Sequence, residues 1–410
     1  MQYGRTRPVI ATLAILFAGC VAPLASDSDS GPSVEDGAPN LRGPPGPAGP
    51  AGPPGPPGPT GPPGPQGSSG AAGERGPPGV EADASQDWSR GPLFYTSIRD
   101  ASTFVVHDSV RERSYIFRPG GVNPPGSPSQ YFDIANNVYR NYHPPPADVD
   151  IPGAFGSGAS GAFDGNRTIY VVLGGGSKMF LKYDTGTPHA VLNGPDDRGI
   201  GWTRLADVPV EVGEGAATFI ADARIFVAPG RATRYWYAFN IDTGEWSRLP
   251  DLPSSDPEAG KVGNIVGHFG LTGVVLNDRY ILLSTRHHIL RYDVETDGWI
   301  GNGFGSETYT TLRFTLGEGA AMVTDPATST IWILRGLRTG QLGAITTSDA
   351  TGSNPRFFFV DTDVPAPVSV AGPRMVLTAA TGTKEILVWP ADGTGRLWRT
   401  PVSALGLVPT

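Results

Sequence analysis

The stretch ARIFVAPGRATRYWYAFNIDTGEWSRLPDLP, residues 223–253, decides the fold. Ile225, Phe226 and Val227 form a short apolar run closed by Pro229 and Gly230. Residues 235–240 are a second, aromatic-rich run, and Asp242-Thr243-Gly244 turns into a third run opened by Trp246. Short runs of β-branched and aromatic residues bounded by Gly, Pro and Asp read as strands. Residues 216–221, just upstream, supply one more. Four antiparallel strands in chain order are the unit from which a β-propeller is built.

The pattern recurs along the chain. Equivalent runs begin at Tyr115, Ile169, Ile225, Tyr280, Ile331 and Ile386, in successive steps of 54, 56, 55, 51 and 55 residues. A steady period of this length predicts a repeat architecture. Within the copies, one aromatic follows another at a separation of seven residues in Phe132/Tyr139, Phe239/Trp246 and Tyr292/Trp299. That spacing fixes the turn between the third and fourth strands. An isolated four-stranded sheet cannot bury both faces, so the rings are expected to fill the space between neighbouring blades, and six copies close a ring without free edges.

On these residues the chain resembles the kelch family of propellers. Gly120-Gly121 and Gly174-Gly175 stand where that family carries a diglycine, and FNIDTGEWSRLP (239–250) and YDVETDGW (292–299) stand for its aromatic, turn and tryptophan signature. The resemblance covers residues 86–410. It weakens at Ser284-Thr285 and Pro390-Ala391, which occupy diglycine positions in the fourth and sixth copies. The fold expected is all-β, a six-bladed kelch-type propeller.

The last copy aligns KEILVWPADGTGRLWRTPV (384–402) on residues 223–239, placing Trp398 over Trp236, and is then short of a fourth strand. DWSRGP (87–92) matches EWSRLP (245–250), so an N-terminal strand is expected to complete the sixth blade. Residues 86–410 then form one domain that neither end can leave without reopening a sheet edge.

The chain begins with Arg5 and Arg7 before an apolar stretch, residues 9–17, too short for a permanent membrane span. It reads as an export signal. Ala18-Gly19-Cys20 resembles the bacterial lipoprotein box, with Phe17 where leucine is usual, and Cys20 is the one cysteine of the chain. The resemblance implies removal of residues 1–19, lipidation of Cys20 and an anchor in the membrane, and Val21 beside it favours the outer membrane or cell surface. Residues 20–42 read as a flexible tether. From Gly43 to Gly79 glycine occupies every third position thirteen times, with GPP in five triplets. Only glycine fits the axis where three chains meet, so residues 43–81 are expected to form a collagen-like stalk, on the order of 110 Å long, that makes the protein a homotrimer. GAAGER (70–75) resembles the integrin-binding class of collagen motifs, though pairing of Glu74 with Arg75 between chains accounts for it as well.

A formal charge of −8 and a pI near 5.3 give no basic footprint for nucleic acid, which is not an expected partner. The head has no cysteine for a disulfide, nor for the tyrosine–cysteine copper centre of a galactose-oxidase-like kelch enzyme. Asp242-Thr243-Gly244-Glu245-Trp246 is one residue short of a sialidase Asp box. Adjacent strand residues point to opposite faces, so His287-His288 is a poor metal pair. No metal and no cofactor are expected.

With the first strand innermost, the starts of the first strands and the loops after the second gather at one mouth. Two of those starts are nearly identical, VGEGAA (212–217) and LGEGAA (316–321), and bring Glu214 and Glu318 to the rim. The alignment adds Arg99, Asp100, His268 and Arg374, and the loops after the second strand add Lys178, Arg231, Arg286, His287, His288 and Arg338. Converging carboxylates, arginines and histidines suit a polar or anionic ligand, with arginine as a bidentate carboxylate clamp; polar residues that merely satisfy a wet channel explain the same pattern. Three functions follow from the sequence. The first is a surface protein whose propeller binds a glycan or protein ligand in adhesion. The second is an exported carbohydrate-modifying enzyme of the sugar-acid epimerase or mutarotase kind, with Glu214 or Glu318 as acid or base. The third is a structural surface spacer.

Overall fold

The computed structural model describes residues 81–82, 87–94, 103–117, 129–145, 155–188, 199–253, 271–285, 288–300, 309–311, 316–317, 319–336, 339–346, 356–360, 363–365, 375–390 and 396–409. The chain divides into two compact units, 1–71 and 72–410, and every described residue lies in the second. These residues make six antiparallel sheets, the blades of a propeller. Blade 1 holds Phe104–Asp108, Arg113–Phe117, Ser129–Asp133 and Val138–Tyr142. Blade 2 holds Ser160–Phe163, Thr168–Val172, Phe180–Asp184 and Trp202–Arg204. Blade 3 holds Ala217–Ala221, Arg224–Ala228, Tyr237–Asn240 and Trp246–Arg248. Blade 4 holds Thr272–Leu276, Tyr280–Ser284, His288–Asp293 and Gly298–Trp299, with Tyr309–Thr311 also paired to its third strand. Blade 5 holds Ala321–Asp325, Thr330–Leu334, Leu342–Thr346 and Arg356–Val360. Blade 6 holds Met375–Thr378, Glu385–Val388 and Arg396–Pro401. The six apolar runs of the sequence are the second strands.

Those runs are continuous rather than alternating because both faces of each second strand are buried, one against each neighbouring blade. In blade 3, Ile225 and Val227 enter the cluster shared with blade 2, while Phe226 and Ala228 enter the one shared with blade 4. Among the described residues the apolar core is six such clusters, one at each blade interface. The ring is therefore held by inter-blade burial all the way round.

The aromatic pairs seven residues apart are direct cross-strand partners, Phe132 with Tyr139, Phe239 with Trp246 and Tyr292 with Trp299. Their ring centroids lie 5.1, 5.2 and 5.0 Å apart. The fourth-strand tryptophans also tie successive blades together. Trp202 donates its indole N–H to the His143 carbonyl at 2.8 Å, Trp246 to Ala206 at 2.9 Å and Trp299 to Pro250 at 3.0 Å. Each acceptor lies four residues beyond the matching aromatic of the preceding blade, so one contact is made three times.

The sixth blade closes as the sequence leads one to expect. Ser89–Leu93 pairs with Arg396–Pro401 as its fourth strand, and Trp88 is buried at the interface with blade 5. Arg90 lies opposite Trp398 with its guanidinium 5.2 Å from the ring, as Arg248 lies opposite Tyr237 at 5.4 Å. This register corrects one alignment. Val388 faces Trp398 as Val227 faces Tyr237, so Trp398 matches Tyr237, not Trp236. The blade 6 and blade 1 interface is sealed by Trp389, whose indole N–H donates to the Tyr139 hydroxyl at 3.0 Å, and by Thr378, which donates to Glu112 at 2.6 Å. Three short strands went unread in the sequence: Glu81–Ala82 extends blade 6, Leu407–Pro409 extends blade 5, and Tyr309–Thr311 pairs with the third strand of blade 4.

On the face bearing the turns between first and second strands, acidic residues cap turns and bridge blades. Asp108 accepts the backbone N–H groups of Val110 and Arg111, and Asp325 accepts that of Ala327. Asp325 of blade 5 also holds Lys384 of blade 6 at 2.8 Å. Burial pushes the Asp325 carboxyl up, but Lys384, Thr328 and the Ala327 N–H together bring it below its ordinary value. A depressed carboxylate contributes stability above its unfolded pKa, about 4, and loses that contribution as pH falls through the folded value. Lys384→Met is expected to lower stability at neutral pH by about 1 kcal/mol or less, the lysine being partly exposed. Its acid-unfolding midpoint, followed by circular dichroism, should move to higher pH, and the difference from the parent should vanish in strong acid.

Candidate functional site

The first strands line the axis, each packing on the first strand of the next blade from blade 1 through blade 6. At the blade 2 and blade 3 junction the Ser160 and Thr218 hydroxyls meet at 2.7 Å within this wall. The segment before each first strand and the loop after each second strand therefore lie on one face, the mouth.

The mouth is built from a repeated backbone turn. Gly213 donates its N–H to Pro229 and Ala216 donates to Gly213, both at 3.0 Å. Gly317 with Arg335 and Ala320 with Gly317 repeat this in blade 5, and Gly156 with Leu173 and Ala159 with Gly156 repeat it in blade 2. Gly158, Gly215 and Gly319 take φ of 81, 83 and 78° at the same place. The VGEGAA and LGEGAA turns thus have a third copy, FGSGAS (155–160), with Ser157 at the glutamate position. The backbone demands Gly-x-Gly and leaves x free, so a search on glutamate misses the blade 2 copy.

A second turn packs on the first. Gly230, Arg231 and Ala232 take φ of 74, 55 and 56°, closed by the Thr233 N–H donating to Gly230 at 3.0 Å. Blade 2 makes the same left-handed turn with Gly174, Gly175 and Gly176. A Cβ on Gly230 would lie 2.3 Å from the Glu214 oxygen and 2.6 Å from the Ala216 nitrogen. Gly230→Ala is accordingly expected to lose about 1–3 kcal/mol. Ala232→Gly, which relieves an exposed left-handed alanine, is expected to gain up to about 1 kcal/mol. Denaturant midpoints of the two variants should move in opposite directions.

The left-handed backbone throws the Arg231 side chain across the mouth. Its Cγ lies 2.8 Å from where a Gly213 Cβ would stand, and its guanidinium donates to Glu211 and lies 3.4 Å from where a Gly176 Cβ would stand. The Arg231 side chain is still 48 % exposed, so part of its fork faces solvent. Glu214 sits beside it, exposed, with its carbonyl accepting the Arg231 N–H at 2.8 Å. Lys178 donates to the Pro209 carbonyl at 3.3 Å on the blade 2 side. One junction thus gathers a guanidinium, an ammonium and two carboxylates, an arrangement suited to polar contact at a surface.

Of the residues read as candidates in the sequence, Glu214, Lys178 and Arg231 come together here. His288 begins the third strand of blade 4 and is half-buried. Arg99, Asp100, His268, Arg286, His287, Glu318, Arg338 and Arg374 lie outside the described residues, as do Cys20, the Gly-x-y run and the Gly120-Gly121 pair. Glu211 was not singled out in the sequence, since it falls just before the repeated motif. Among the described residues no three His, Cys, Asp or Glu side chains cluster as metal ligands do.

Residues 27–85 match the family model of the collagen triple helix repeat, in 20 copies. No curated protein matches the chain. Among solved structures, one described as "Structure of YjhT" is 18 % identical, covering 60 % of this chain and 83 % of that one with a TM-score of 0.38.

Proposed function

We propose that this protein is a lipid-anchored surface protein in which a trimeric collagen-like stalk presents kelch-type propeller heads for binding a surface glycan or protein ligand. The observation that carries this reading is the collagen-repeat match, which runs into the first strand of a closed propeller. A flexible linker needs no glycine at every third position, whereas a triple helix does. Three linked heads raise avidity for a repetitive surface even where each mouth binds weakly. Glu214 is exposed, and the Arg231 guanidinium beside it donates to Glu211, the setting of a contact residue, whereas an acid–base catalyst is usually tuned by burial or by a charged partner of its own. Export through residues 1–19 and acylation of Cys20 place the protein at the outer membrane or cell surface, and several acyl chains give stable anchoring.

The solution mass of residues 21–410 beside that of residues 81–410 tests the stalk. A trimer is expected for the longer chain and a monomer for the shorter; two monomers would sink the multivalent reading. On a glycan array the longer chain should then bind with apparent affinity roughly a hundredfold above the shorter, and Arg231→Ala should weaken both. Cys20→Ser should move the protein from the membrane to the soluble fraction.

A further inference from the structure

The outer edges of blades 5 and 6 are set apart by the two ends of the chain. Glu81–Ala82 forms the outermost strand of blade 6, and Leu407–Pro409 forms that of blade 5. Beside them stand two of the exposed large apolar side chains of the head, Leu93 at 49 % and Leu407 at 38 %. Leu93 pairs with Arg396, where the third strand of blade 6 begins. Leu407 pairs with Val360, where the fourth strand of blade 5 ends. Third strands begin and fourth strands end toward the mouth, so both leucines lie at the same end of adjoining edges. The stalk reading adds a constraint: only Val80 separates Gly79, the last glycine of the triplet run, from Glu81. Three chains leaving one triple helix have a single residue each before they enter a blade 6 edge.

We propose that the heads of the trimer pack on one another in a closed ring, the blade 6 edge of one head at Leu93 against the blade 5 edge of the next at Leu407. A three-fold interface joins unlike patches and must turn through the right angle to close. Six blades step around a propeller by about 60°, and the directions from one member of a three-membered ring to its two neighbours also differ by about 60°. Adjacent blades therefore point at the two neighbours. The two outermost strands and the two leucines come together in the same contact.

This inference rests on the trimeric reading, and its test separates the two. In the full chain carrying Cys20→Ser, Leu93→Cys and Leu407→Cys are introduced singly and together and treated with a short bis-maleimide. The double variant is expected to give covalent trimers in roughly tenfold excess over either single variant, because neighbouring heads sit at high effective concentration. Val110→Cys, on the opposite face of blade 1, paired with Leu93→Cys, is expected to give none. A particle of trimeric mass in which Leu93→Cys/Leu407→Cys forms no covalent trimers, or no more than the Val110 pair, overturns the head contact alone. A particle of monomeric mass overturns both the contact and the stalk.

Discussion

Trp236→Ala is expected to remove about 3–5 kcal/mol from the stability of the head, a large share of the whole for a domain of ordinary stability. Trp236 is fully buried between blades 3 and 4 and touches rings from both. Its centroid lies 5.7 Å from Phe226 and 6.2 Å from Phe219 on one side, and 5.6 Å from Tyr292 and 5.7 Å from Trp299 on the other. Truncation leaves a void that a closed ring cannot collapse without moving a blade, so transfer and cavity terms add. Trp236→Phe, which keeps most of the ring contacts, should cost far less. Urea unfolding followed by far-ultraviolet circular dichroism measures both; equal losses would show that bulk at this interface is not what holds blades 3 and 4 together.

Removing residues 1–94 is expected to prevent the head from folding, whereas removing residues 1–80 should leave it folded. The longer deletion takes away Ser89–Leu93 together with Trp88 and Phe94, which are 2 % and 4 % exposed in the blade 5/6 and blade 6/1 clusters. It also leaves Arg396–Pro401 as a bare sheet edge. The outcome is read as aggregation or rapid proteolysis against a sharp thermal transition for the shorter deletion. A synthetic peptide of residues 81–96 added in trans should restore protection. A folded head without residue 94 and before would mean that the ring closes through its remaining contacts.

The blades were legible because second strands buried on both faces leave unbroken apolar runs that recur at a steady period. The cross-strand aromatic pair of blade 2 was not, although Tyr183 and Trp202 are partners with centroids 4.9 Å apart. A longer connection separates them and hides the spacing seen in blades 1, 3 and 4. Matching Trp398 to Trp236 followed residue type instead of register. A one-residue slip turns a side chain to the opposite face of its sheet, and the two indoles do face opposite ways, Trp236 toward the next blade and Trp398 toward the preceding one. Leu407–Pro409 escaped notice because a three-residue strand ending in proline carries almost no signal. At the mouth, the glutamate doublet exposed the turn, but the turn itself is a backbone property, and the left-handed conformation of Arg231 and Ala232 is written in no motif.

Chain entry through the rim of blade 6 also has a mechanical meaning. Tension arriving at residue 80 meets Glu81–Ala82 first, and only two register pairs hold that strand. The load then falls on Ser89–Leu93, whose ladder is irregular between Arg90 and Leu93 and is reinforced by the Ser89 hydroxyl on the Arg399 carbonyl and the Thr400 hydroxyl on the Asp87 carbonyl. The strand that closes the ring is thus also its force-bearing clasp. A head pulled from residue 80 yields there, inside blade 6, well before the mouth at blades 2 and 3 is strained.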